Sequence, residues 1–159
     1  MSQFAKVKFK VIKDINPKAF DQLRDRIKAE HSKINVGIPA GKNEADGTPV
    51  ALIAAVHEFG SPSNGITERP FLRTTIQENR GKYVQLNRRN LVSVMNGKMP
   101  VIQALGQLGA VAASDVQATI ARGGFAPLKA ATIKRKGSSK PLIDTGQLRQ
   151  SITWEIASD

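Results

Sequence analysis

His57 and Glu58 stand side by side, the pair that in a zinc peptidase supplies a metal ligand and a general base. That chemistry needs a second histidine four residues after the first, so that both rings lie on one helix face, and here the position is Ser61. Asp144-Thr145-Gly146 has the letters of an aspartic protease triplet. Two such carboxylates must share a proton across two lobes or a mainly β homodimer, and the chain carries one. Gly41-Lys42 lacks the upstream glycine spacing of a phosphate loop, and Gly106 and Gly109 fall inside a helical apolar stripe. His31 is the other histidine, there is no cysteine, and no spacing pairs any two of Glu44, Asp46, Glu58, Glu68, Asp144 and Glu155. The expectation is a protein without catalytic residues, cofactor or metal.

The same residues make better sense as structural punctuation. Asp144 followed by Gln147 has the spacing of a capping box, which predicts Asp144 as the N-cap of a short helix that carries Leu148. His57-Glu58-Phe59-Gly60 closes an apolar run, and Arg69-Pro70-Phe71-Leu72 opens the next one after a polar turn segment, Ser61 to Arg69. Phe59, Arg69, Pro70, Phe71 and Leu72 are therefore expected to pin that loop or to form a subunit contact, with Asp144 and Leu148 doing the same near the end of the chain.

The chain has 159 residues, 24 lysines and arginines and 13 acids, a formal net charge of +11. One domain over residues 1–159 is expected at this length, with a core that needs no disulfide. No apolar run approaches the ~20 residues of a membrane span, and Met1 to Lys13 mixes charges with apolar residues, unlike a signal peptide. A soluble, unsecreted protein is expected. The positive charge is uneven: no acid occurs from Val116 to Ile143, where Arg122, Lys129, Lys134, Arg135, Lys136 and Lys140 fall. Such a run is either a solvated loop or a contact for phosphate backbone or an acidic partner. Aromatic residues make up 5% of the chain and none interleaves with Lys134 to Lys140, which argues against a base-stacking platform.

Periodicity supplies the elements that hold these residues. Val7, Phe9 and Val11 alternate with lysines as in a strand, and Asn16-Pro17 starts a helix with Phe20, Leu23 and Ile27 at helical spacing. Ile34, Val36 and Ile38 form a second strand before Pro39, and Thr48-Pro49 opens a helix that stops at Gly60 in a left-handed end. A long polar helix is expected from Pro70 to about Asn96. A cleaner stripe then runs through Val101, Leu105, Leu108, Ala112, Val116 and Ile120, with Gly106, Gly109, Ala110 and Ala113 allowing close approach of a neighbour. Gly123-Gly124 ends it; the basic stretch is a loop with one helical turn near Ala130, and Ile152, Trp154 and Ile156 alternate in a closing strand. The result is an α+β domain: one mixed or antiparallel sheet packed against two long helices, with shorter helices beside them.

The order of these pieces resembles the virion morphogenesis and tail-completion proteins of tailed bacteriophages. The match runs through Val36-Gly37-Ile38-Pro39, Ala54 to Gly60, Arg69-Pro70-Phe71-Leu72, a long helical middle, Leu128 to Ile133 with Lys136-Gly137, and Pro141 to Ile152. The resemblance implies a tail-terminator-like fold and a minor structural virion protein at the neck, joining tail to head connector around the DNA channel. It further implies a ring, of six copies by analogy with tail symmetry. Its partners would be copies of itself and the connector, adaptor, terminator or tail tube proteins, with assembly in the host cytoplasm and no membrane. Lys129, Lys134, Arg135, Lys136 and Lys140 would then face packaged DNA or a partner without reading sequence. A basic, sequence-independent nucleic-acid-binding protein is the alternative.

Overall fold

Residues that alternate in the sequence meet in register. In the computed structural model, which describes residues 21, 32–137, 139–143 and 145–158 (backbone alone at 32, 135, 136 and 158), strand β1 is Ser32–Gly37 and strand β2 is Thr153–Ser158. They pair antiparallel, Ile34 opposite Ile156 and Val36 opposite Trp154. The period of two turns these four apolar residues to one face and leaves Asn35 and Glu155 on the other, where Asn35 Nδ2 donates to Glu155 Oε1 at 3.1 Å. The expected strand at Lys6 to Val11 and the helix from Asn16 to Glu30 lie outside the described residues, apart from Asp21, which is helical. The elements named here belong to one compact unit, which begins at residue 32.

Between the strands come helices α1 (Val50–Phe59), α2 (Phe71–Glu78), α3 (Arg80–Met95), α4 (Val101–Arg122), α5 (Ala130–Lys136) and α6 (Gln147–Ser151). This is a mixed α+β arrangement with a two-stranded antiparallel sheet among the described residues. The central element is α4, which packs on both strands. Its glycines matter there. A Cβ built on Gly109 would lie 2.8 Å from the Trp154 ring, and one on Gly106 would lie 3.1 Å from it, so the indole rests directly on helix backbone. Further along, Ala113, Val116 and Ile120 meet Val50, Phe71, Leu142, Leu148 and Ile152 in the core, with Val36 and Trp154 packed against it. Gln117 Nε2 donates to the Ile152 carbonyl at 2.9 Å and ties the helix to the start of β2.

Three expectations are corrected. The helix from Pro70 to Asn96 is two, interrupted at Asn79, whose Nδ2 takes the Thr75 carbonyl at 2.9 Å in competition with the helical backbone. The first turns of α4 bury Ala104, whose carbonyl accepts from Asn90 Nδ2 of α3 at 3.0 Å, and Gly109, which lies against the flat Trp154 indole, while Val101, Leu105 and Leu108 are half-buried. The basic stretch holds a helix longer than one turn, α5, closed by Gly137 in the left-handed conformation, with the Gly137 amide on the Ile133 carbonyl at 2.9 Å.

Candidate functional site

The two halves of the first motif are joined by buried charge. Helix α2 begins immediately after Pro70, which has no side chain able to cap it, so the amides of its first turn need an acceptor from elsewhere. Glu58, one residue before the end of α1, provides it. Its carboxylate is buried at 5% exposure and accepts from the Leu72 amide on Oε2 at 2.8 Å and from the Arg73 amide on Oε1 at 3.0 Å. An anion at a helix N-terminus is favoured by the peptide dipoles as well as by these two bonds. Gly60 makes the approach possible: its φ is 74° with ψ 178°, and a Cβ there would stand 3.0 Å from the Glu68 amide and the Ile66 carbonyl. The positive φ agrees with expectation, but ψ is extended, so the chain leaves α1 sharply and does not continue in a left-handed turn.

The loop that follows closes on itself. Ser61 and Ile66 exchange two backbone hydrogen bonds of 2.9 Å around a 3₁₀ turn, Pro62–Asn64, and the Arg69 amide donates to the His57 carbonyl at 2.6 Å. The Arg69 side chain then crosses to a distant segment. Nε donates to the Ala126 carbonyl at 2.8 Å, Nη2 to the Pro127 carbonyl at 2.9 Å, and Nη1 to the Thr67 carbonyl at 3.0 Å. Arg69 is 5% exposed, so a planar cation with a fixed fork of donors is consumed by backbone oxygens. It fastens the chain that leaves α4 and begins the basic stretch.

Phe71 is buried in the core, Leu72 packs against it half-buried, Pro70 occupies the N-cap position of α2 and Leu148 is buried. Phe59 is different: it is 67% exposed and does not pin the loop. The direction of α1 points Glu58 inward and turns the next residue outward, where the Arg73 guanidinium lies 5.7 Å from the Phe59 ring centre and bonds Glu68 at 2.5 Å. Asp144 lies outside the described residues. The helix near it starts at Gln147 with Gly146 in the cap position, and Thr145 Oγ1 accepts from the Gln147 amide at 3.1 Å. Leu142, buried at 4% exposure, holds a φ of 61°, a strained value for a leucine that its place in the core sustains.

Of the basic residues, Lys129 precedes α5 and its Nζ lies above Gly65, where a Cβ would approach it to 2.7 Å. Lys134 and Lys140 are exposed, and Arg135 and Lys136 continue the backbone of α5. Glu44, Asp46, His57 and Thr145 line a cleft of about 650 Å³. Its acids serve local structure: Glu44 accepts from Thr145 Oγ1 at 3.2 Å, and Asp46 accepts from the Thr48 amide at 2.9 Å, which holds the Asp46 carboxyl below its ordinary range. Among the described residues no group of three histidines or acids is placed to hold a metal ion.

Glu58, read from the sequence as a possible general base or acid partner, serves instead as the cap of a distant helix. The available signal was a lone acid in an otherwise apolar helix, 14 residues before the amide it accepts from. No protein family, curated protein or solved structure matches the chain.

Proposed function

We propose that the protein is a structural minor virion component of a tailed bacteriophage, which completes the tail and joins it to the head connector as a ring around the DNA channel. The observation that carries this reading is how the motif residues are used. Glu58, Gly60, Arg69, Pro70 and Phe71 are spent on backbone amides, backbone carbonyls and core packing. They fasten a corner between distant segments, with Arg73 and Glu68 paired at its surface. The motif order resembles tail-completion proteins, and a neck ring has use for a subunit whose loops are fastened at both ends. Exposed cations such as Lys134 suit a DNA channel, where contacts to phosphate are independent of sequence.

Deleting the gene in the parent phage and examining particles by electron microscopy tests the role. The expected result is filled heads with separate or defective tails; normal infectious particles defeat the proposal. The alternative, a free nucleic-acid-binding protein, predicts instead intact particles and a purified protein whose affinity for short duplexes falls steeply with salt.

A further inference from the structure

Two helices of this unit present apolar faces that its core does not use. Helix α1 is apolar almost throughout, and it is the described α-helix without a lysine or arginine. A helix apolar on all sides belongs in an interior, yet Leu52 is 56% and Phe59 67% exposed, with Ala51 and Ala55 exposed beside them. At 3.6 residues per turn these four lie within about 100° of the helix circumference, on the side away from Val50, which is buried in the core. Helix α3 repeats the situation with different charge. Val84, Leu91, Val92 and Met95 are 42–56% exposed, and Arg88 falls on the same face. Helix α3 carries four basic residues and no acid.

We infer that α1 of one copy seats against α3 of a second copy, in a head-to-tail contact. The charges select this pairing. Contact of α3 with another α3 would set Arg88 against its own image in an apolar patch, where an unpaired charge is costly. Contact of α1 with α1 would leave the α3 face wet. Contact of α1 with α3 covers both, and the charges that Arg88 then meets beside Phe59, Arg73 and Glu68, are already paired with each other, so it faces a balanced surface and not a second unpaired cation. Ala51 and Ala55, one turn apart, let the partner helix approach closely. Two different patches on one chain generate rings when the rotation closes, whereas a patch that pairs with itself stops at two copies.

The contact takes its biological setting from the neck ring proposed above, but its test needs only the isolated protein: normal particles after gene deletion would sink the neck role without changing any mass in solution. Sedimentation equilibrium of the full chain is measured from micromolar to near-millimolar concentration, in salt high enough to screen the +11 charge. The wild-type mass is expected to rise above the 17.2 kDa of one chain. The double variant Leu52→Gln with Phe59→Gln and the double variant Leu91→Gln with Met95→Gln, both unchanged in charge, are each expected to stay monomeric. Mixed in equal amounts they regain one good face each and are expected to reach twice the monomer mass and stop. Circular dichroism verifies that each variant is folded; one that is not is replaced by Leu52→Ala or Leu91→Ala, with the same outcome expected at smaller amplitude. A wild type that stays monomeric throughout, a single-face variant that associates like the wild type, or a mixture that stays monomeric overturns the inference.

Discussion

Arg69 and Lys134 are both cations in segments that the amino-acid pattern singles out, and they do opposite work. Around Arg69 every charged atom is matched: the guanidinium serves three carbonyls, Glu58 serves two amides, and both side chains are nearly inaccessible. Lys134 is exposed on a short helix within a stretch of the chain that has no acid. The two regions are physically linked, since Arg69 holds Ala126 and Pro127 immediately ahead of Lys129. The formal charge of +11 is unchanged by this corner, because the buried Arg69 and the buried Glu58 cancel, yet one cation of the 24 is internal fastening. Burial and partner type, not residue type, separate a structural cation from an available one.

The largest effect is expected where the fastened corner meets the core. Phe71→Ala should destabilise the protein by about 3–5 kcal/mol, read as a lower denaturant midpoint, since a fully buried ring is replaced by a cavity. If stability holds and only assembly fails, Phe71 is serving an interface and the corner is not part of the monomer core. Arg69→Met comes next. It keeps the apolar stem and removes all donors, leaving the Ala126 and Pro127 carbonyls unmatched, and should cost roughly 2–4 kcal/mol. Hydrogen exchange or limited proteolysis should show the loss concentrated around residues 123–129, and a change spread evenly over the chain would break the claim that Arg69 is a local strap.

Glu58→Gln is a finer probe. The amide keeps one acceptor and loses the charge at the α2 N-terminus, so the expected cost is roughly 1–2 kcal/mol. Lys134→Ala sits at the other end of the scale, with stability unchanged within about 0.5 kcal/mol. Its effect should instead appear in binding of the purified protein to a short duplex: affinity falls equally for unrelated sequences, and the salt slope drops by about one unit if the ammonium meets a phosphate. A Lys134→Ala variant that unfolds, or that loses affinity for one sequence alone, would erase the distinction between the two regions.

Much of this was legible in the chain because it depends on neighbours in sequence. The alternation of Ile34 and Val36, and of Trp154 and Ile156, determined two strands with one buried face. Gly60, Pro70, Pro100 and Gly123 marked helix ends, because proline cannot donate and glycine alone enters positive φ without strain. The small residues of α4 announced a close neighbour, though not that the neighbour is Trp154. Tertiary structure decided the rest. Glu58 caps a helix that begins 13 positions later in the chain, Arg69 reaches carbonyls 57 and 58 residues away, and Phe59 turns outward. Asn79 splits a helix that periodicity would have left whole. Local pattern records which face of an element is apolar; the partner that a buried charge needs is set by which elements the fold brings within 3 Å, and sequence separation places no limit on that.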